Sequence, residues 1–366
     1  MSFQAEAVVD VSAISANVAG LVAASRTQVL APVKANGYGH GLVPAAFACL
    51  DGGAAWLGVA TLDEALTLRR AGVKAPVLAW LVGPGQDLAS AAEHDIELSA
   101  MSFAQLEEIA ATKARHRPRV QLEADTGMGR GGVPPTLWPG FAELAHKLQS
   151  QGRIEVTGAW SHMACADEPE HPANAKQRES FAQFLDVLSS AGLSVRWRHL
   201  ANSAATLTDP RTHYDLVRPG IAIYGYPPVS TTVKLTPAMT LRTRLAMVKT
   251  LPPNHGVSYG HTFVTPHPTR VGVAPLGYAD GIARAVSNVA KVVVKDKICP
   301  IRGRVCMDQT MIDLTDVDAS TGDVVEFFGN TPVTAQDWAR WNDTISYEIL
   351  VTVGSRVPRR YVKAAE

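Results

Sequence analysis

Between about residues 28 and 225, short apolar runs rich in β-branched residues alternate with stretches whose apolar positions recur at helical spacing. That alternation is the pattern of parallel βα units. Eight strands are predicted, in TQVLAPVKA, AWLGVAT, PVLAWLV, IELSA, RVQLEADT, IEVTGAWSHM, WRHLANS and LVRPGIAIYG. Helices between them are predicted in DEALTLRRAG, in MSFAQLEEIAATKA behind a Ser102 cap, and in KQRESFAQFLDVLSSAG, which stops at a glycine. Eight strands with intervening helices give the count of a closed (β/α)8 barrel of the TIM type. After Pro237 the rhythm changes to β-rich pieces without long helices: TRLAMVKTL, TRVGVAPLGY, AKVVVKD, MDQTMIDL and DVVEFFG. A second, mainly β domain follows the barrel, with one late helix around TAQDWARW. The expected division is 11–235 for the barrel and 236–366 for the C-terminal domain.

Composition narrows the class of partner. The chain has 366 residues, 46% hydrophobic and 19% charged, enough for a large barrel with an appended domain. Lys plus Arg and Asp plus Glu both count 34, so there is no electrostatic footprint for nucleic acid or an anionic membrane. No apolar run approaches the ~18 residues of a membrane span. The start, MSFQAEAVVD, lacks the basic and apolar regions of a signal peptide. Cys49, Cys165, Cys299 and Cys306 form no CxxC pair, which suits reduced thiols in a cytoplasmic protein. A small molecule is the expected partner.

In an eight-stranded barrel the active site lies at the C-terminal ends of the strands, with phosphate often bound after strands seven and eight. The polar residues collect at those ends. Lys34 closes strand one, DTGMGR (Asp125 to Arg130) follows strand five, and His162 ends strand six. Asn202 and Ser203 end strand seven, while Arg218, Gly220 and Ile221 lie at strand eight. Ser203 with the amides of Gly220 and Ile221 makes a cradle for a phosphate. A lysine facing such a cradle points to a Schiff base with a phosphorylated aldehyde, pyridoxal 5'-phosphate. The loop cluster His162, Cys165, Asp167, Glu168 and His171 could suggest a metal-dependent hydrolase, but it lacks regular ligand spacing, and no metal site is expected.

VKANGYGHG, DTGMGR, HLANSAA, VRPGIAIYG, VSYG, PLGYADG, GRVCMDQTMIDL and ISYE…RVPRRY occur in the order and spacing of the alanine racemases, from about Val9 to Tyr361. The chain resembles that family over essentially its whole length. The resemblance implies a barrel with a C-terminal β domain, to which residues up to about 10 also belong. It makes Lys34 the lysine that holds the cofactor as an internal aldimine and the base for D-alanine. Tyr259, reaching the barrel of a second subunit, becomes the base for L-alanine, so a homodimer with composite active sites follows. It further assigns Tyr38 and Tyr347 to the phosphate, and His162 and Arg218 to the network that lowers the tyrosine's pKa. Arg218 also faces the pyridine nitrogen. A guanidinium there keeps its proton, so the ring is a weak electron sink and transamination is suppressed. Arg130 and the Met307 backbone meet the substrate carboxylate, Asp308 lines the pocket, and Tyr278 and Arg284 narrow the entrance.

One position departs from the family pattern. Two residues before the Asp of DTGMGR, many members carry a carbamylated lysine, and this chain has Glu123. A carboxylate supplies negative charge without modification, so Glu123 is expected to position Arg130 directly or through a water. Two related alternatives keep the same cofactor: a racemase of broader specificity, for serine or basic amino acids, and a non-catalytic carrier. Carriers of that kind lack the C-terminal domain and its tyrosine.

Overall fold

The computed structural model describes residues 4–363. The chain divides into two compact units. One runs from Ile14 to Gly37 and from Leu42 to Leu235, while the other joins the residues through Ala13, the short segment Tyr38–Gly41 and the chain from Thr236 onward.

Among the described residues the first unit holds eight parallel strands: β1 (Gln28–Pro32), β2 (Trp56–Val59), β3 (Val77–Ala79), β4 (Ile96–Ala100), β5 (Arg119–Glu123), β6 (Glu155–Trp160), β7 (Trp197–His199) and β8 (Leu216–Val217). From β1 to β7 each strand pairs with the next in sequence, and β8 returns to β1 with Gln28 opposite Leu216. The ring closes between β7 and β8, where Asp215 N–H donates to Arg198 O at 3.0 Å and Arg218 N–H to Ala201 O at 2.9 Å. All eight predicted strands form. The eighth is short: LVRPGIAIYG stays extended only at Leu216–Val217 and then makes a single 3-10 turn, Ile221–Tyr224. Pro219 has no N–H for a sheet bond, which ends the strand.

Leu30, Trp56, Leu78, Trp80, Trp160 and Leu216 pack as one buried cluster of this unit. The predicted helices surround it as Leu62–Arg70, Phe103–Ala110 and Pro172–Ser190. Ser102 caps its helix by accepting Gln105 N–H at 3.2 Å. Register slips once between β5 and β6, so that Gly158, not Thr157, stands opposite Gln121. Such a bulge re-aims side chains toward one face.

In the second unit a six-stranded sheet runs in the order Lys297–Pro300, Lys291–Val294, Val324–Phe328, Met239–Arg244, Ala5–Asp10, Arg359–Val362. The N-terminal strand sits between two C-terminal ones, antiparallel to Met239–Arg244 and parallel to Arg359–Val362. Its Glu6 is buried and pairs with Arg242 at 2.6 Å and Arg360 at 3.0 Å. A three-stranded sheet and the small hairpin Gly256–Val257/Phe263–Val264 complete the β structure. The helix predicted around TAQDWARW is Ala335–Trp341, held by a Thr334–Asp337 capping box. A second helix, Ser346–Val351, has no sequence signal, because six residues are too few to show a period. Among the described residues no helix is long and apolar enough to cross a membrane.

Candidate active site

Lys34 lies just past the C-terminal end of β1, with its ammonium 5.8 Å from the centre of the Trp80 ring. Burial, then the Arg130 charge, lowers its pKa, Glu64 opposes, and Arg218 lowers it further. The amine gives up its proton more readily than a surface lysine. Directly after it, Ala35, Asn36, Gly37 and Tyr38 all take left-handed conformations, with φ of 52, 55, 62 and 51°. For the non-glycine residues this costs about 1–2 kcal/mol each. Strain of this kind persists only where the surroundings fix it, and it concentrates at functional sites. Here Asn36 Oδ1 accepts Leu42 N–H at 2.9 Å, bracing the turn.

Tyr38 belongs to the second unit. Its ring is buried, with its centroid 6.1 Å from that of Tyr347, and burial raises its pKa. The glycines of VKANGYGHG now have a reason. A Cβ on Gly39 would lie 2.2 Å from Leu350 O, and one on Gly41 would lie 2.1 Å from the Tyr361 hydroxyl.

Arg218 is only 4% exposed. Its Nη1 donates to His199 Nδ1 at 2.9 Å, and its Nη2 donates to Ser161 O at 2.7 Å, with Leu200 O and His162 Nδ1 both at 3.3 Å. The Nε–H meets no acceptor among the described residues. Burial brings the Arg218 pKa down to about 9, with Glu123 opposing and Arg130 adding to the fall, so the guanidinium is charged at neutral pH. Burial and then Arg218, Arg130 and Lys34 hold His162 well below the usual imidazole range. His162 is neutral.

The loops after β7 and β8 meet. Asn202 caps the helix Ser203–Thr208 by accepting Ala205 N–H at 3.1 Å. Ser203 Oγ accepts Ala222 N–H at 3.3 Å, which brings the hydroxyl to the turn that Gly220 and Ile221 begin. The loop after β5 is shaped by Asp125, whose Oδ1 accepts the N–H groups of Gly127, Met128 and Gly129 at 2.9, 3.0 and 3.1 Å. Arg130 leaves this loop exposed.

Glu123 is buried but makes no ion pair or hydrogen bond through its carboxylate with Arg130. Of the two routes expected, directly or through a water, the direct one is not formed. The side chain is short, and its Oε1 instead lies 3.0 Å from where a Gly131 Cβ would stand. Burial raises its pKa to about 7 against the pull of Arg130 and Arg218, with Asp125 adding to the rise. The folded chain therefore holds a proton that the unfolded chain has released, and stability falls as pH rises from the ordinary 4.5 through about 7. Glu123→Gln is never charged and lacks this loss, so its stability relative to wild type should rise by about 3 kcal/mol between pH 4.5 and pH 8. Urea unfolding at pH 4.5 and pH 8 checks this. Parallel pH dependence in the two proteins would show that Glu123 titrates as an ordinary carboxylate.

In the second unit Tyr259 stands at the tip of the small hairpin and is 71% exposed. Ser258 beneath it donates to Arg304 O at 2.6 Å and lies 3.3 Å from Cys306 Sγ. Cys306 is half-buried. Met307 and Tyr278 are exposed, and the Tyr278 and Ala279 N–H groups donate to Cys306 O and Met307 O, both at 3.0 Å. Asp308 pairs with Arg356 at 2.8 Å, and Arg284 opens the turn Arg284–Val286. Tyr347 sits in the helix Ser346–Val351.

Residues 9–228 match the family model described as alanine racemase, N-terminal domain, and residues 238–361 match its C-terminal domain. The chain belongs to the alanine racemase family. A curated relative named alanine racemase from Salinispora arenicola is 50% identical over 98% of both chains, and one from Thermobifida fusca is 48% identical over 100% of both. Among solved structures, alanine racemase from D-cycloserine-producing Streptomyces lavendulae superposes with a TM-score of 0.96 at 44% identity, covering 100% of this chain and 98% of that one. The Bacillus anthracis alanine racemase with bound L-Ala-P gives 0.92 at 35% identity, over 100% and 97%.

Within the alanine racemase barrel, Lys34, Arg130, His162, Asn202, Ser203, Arg218, Gly220 and Ile221 all lie at or just beyond the C-terminal ends of strands. Tyr38, Tyr259, Tyr278, Arg284, Met307, Asp308 and Tyr347 fall in the second unit. Among the described residues no three His, Cys, Asp or Glu side chains are grouped to hold a metal ion. His171 is occupied otherwise, its Nδ1 accepting Ala173 N–H at 3.2 Å to cap the helix Pro172–Ser190. Sequence reasoning passed over His199, which touches Arg218 directly. Its signal was a histidine placed two residues after Trp197, in a strand read only for the Asn202 and Ser203 at its end.

Proposed function

We propose that the protein interconverts L-alanine and D-alanine with pyridoxal phosphate held at Lys34, working as a homodimer. The observation that carries this reading is a lysine amine with a weakened proton at the strand ends of an eight-stranded barrel, beside a buried, charged Arg218. The donor set fits the cofactor. An amine stands at Lys34, an unengaged Nε–H at Arg218 suits a pyridine nitrogen, and the Ser203 hydroxyl beside Gly220 and Ile221 suits a phosphate. By resemblance to the family, Tyr38 and Tyr347 would also serve the phosphate, as would the Asn202-capped helix.

Pyridoxal phosphate, when bound, supplies the electron-withdrawing ring that acidifies the α C–H of the amino acid. Racemisation then needs one base on each face. Lys34, neutral more easily because of burial and then the Arg130 and Arg218 charges, takes the proton of D-alanine and returns one when L-alanine reacts. Tyr259 of a second copy serves the L face. At 71% exposure in one chain, its phenol is available for a partner to cover. Neutral His162 has its Nδ1 toward Arg218, a pure donor, so its proton sits on Nε2 and can donate to the phenolate. By resemblance, Arg130 and the Met307 backbone would meet the substrate carboxylate and Asp308, Tyr278 and Arg284 would restrict access, while Glu123 biases Arg130 through the charge it gains as pH rises through about 7. Arg218 keeps its proton, gives none to the ring nitrogen, and so limits transamination. Four unpaired thiols suit a reducing compartment, in keeping with a cytoplasmic enzyme.

The test is borohydride reduction of protein loaded with pyridoxal phosphate, followed by peptide mapping, together with the optical rotation of L- and D-alanine. A pyridoxyl label on Lys34 and inversion of both isomers are expected. Labelling elsewhere, or no inversion, would overturn the reading.

A further inference from the structure

We propose that Glu97, Gln121 and His199 form a one-way hydrogen-bond relay through the barrel interior that fixes Arg218, making them positioning residues for the reaction. The inference rests on the reading of Arg218 given above. Three strands contribute, Glu97 from β4, Gln121 from β5 and His199 from β7, and all three side chains are buried.

The chemistry allows only one arrangement of protons. Arg218 can only donate, so His199 Nδ1, 2.9 Å from its Nη1, must accept. A neutral imidazole that accepts at Nδ1 carries its proton on Nε2. Burial, then the Arg218 charge, keeps His199 neutral. That Nε2–H lies 2.6 Å from Gln121 and therefore meets its Oε1. Gln121 must then turn its amide nitrogen to Glu97 Oε2, 2.7 Å away. Every donor points toward Glu97, which is anchored by Arg119 at 3.3 Å and by Thr157 Oγ1 at 2.7 Å.

The surroundings are built for this chain of contacts. The bulge in β6 sets Gly158 opposite Gln121, and a Cβ there would stand 3.0 Å from Gln121 Cδ and 2.7 Å from Trp197 O. Only a glycine leaves the amide room. Trp160 stacks on His199 with planes 1° apart and centroids 5.9 Å apart, and the Arg218 guanidinium carbon lies 5.1 Å from the Trp160 ring centre. The ring thus restrains both members that the relay joins. With Nη1 held by His199 and Nη2 by Ser161 O, Nε is left for the pyridine nitrogen.

Two variants test the relay in the holoenzyme. Gln121→Leu removes the link, leaving His199 free to change tautomer and to present a donor to Arg218. Its kcat should fall about 10-fold with KM little changed, and the ratio of transamination to racemisation should rise several-fold. The double variant Glu97→Gln with Gln121→Glu keeps one negative charge and gives every donor an acceptor again. It should recover kcat and the reaction ratio to within about 3-fold of wild type. Histidine ring 15N shifts supply a readout independent of turnover. In wild type and the double variant His199 Nδ1 should appear as an unprotonated nitrogen, and in Gln121→Leu as a mixture. A folded Gln121→Leu protein with wild-type ratio and ring shifts would overturn the relay, as would a folded double variant that recovers neither. If the racemase reading itself fails, wild type will neither bind pyridoxal phosphate nor invert alanine, and the ring shifts will still decide the relay.

Discussion

Lys34→Ala is expected to lower racemisation in both directions by at least about 10⁴-fold, because it removes the cofactor's covalent anchor and one of two bases together. The fold should survive. The strained turn after Lys34 is braced by Asn36 and by the glycine contacts of Gly39 and Gly41, none of which uses the lysine amine. Stability at neutral pH should rise, since a half-buried ammonium beside the Arg130 and Arg218 charges is a cost the alanine variant lacks. Polarimetry with thermal unfolding checks both halves. Added methylamine should restore part of the activity, which separates a lost amine from a collapsed site. A Lys34→Ala protein within 10-fold of wild type would remove the lysine from the chemistry.

Tyr259→Phe should cost about 10²–10⁴-fold in racemisation while leaving the stability of the chain within about 0.5 kcal/mol. The two effects separate because the phenol is exposed and packs against little of its own chain. The loss should be uneven between isomers. D-Alanine should still exchange its α-proton through Lys34, and exchange from L-alanine should fail. Equal loss of exchange from both isomers would mean that Tyr259 shapes the pocket without acting as the base.

The barrel was legible because most of its strands are buried on both faces and so appear as short, mainly apolar runs, even where a strand such as Val77–Ala79 has three residues. Helix starts were legible where a side chain caps them, as at Ser102. The left-handed run at Ala35, Asn36 and Tyr38 was not, because alanine and tyrosine disfavour that conformation and only long-range contacts impose it. Rim residues were found by reading strand ends. Glu97 and Gln121 lie in mid-strand, and there the signal was present but unused: a charged and an amide side chain inside runs that otherwise bury everything. The short helix of Tyr347 left no periodic trace, and that tyrosine entered only through resemblance.

The most direct measurement is α-proton exchange in deuterium oxide, with L-alanine and D-alanine incubated separately and deuterium uptake followed alongside loss of optical rotation. Two bases on opposite faces require that both isomers exchange and that both invert, each product molecule carrying solvent deuterium at the α carbon. Exchange with retention would leave a single working base and contradict the pairing of Lys34 with Tyr259.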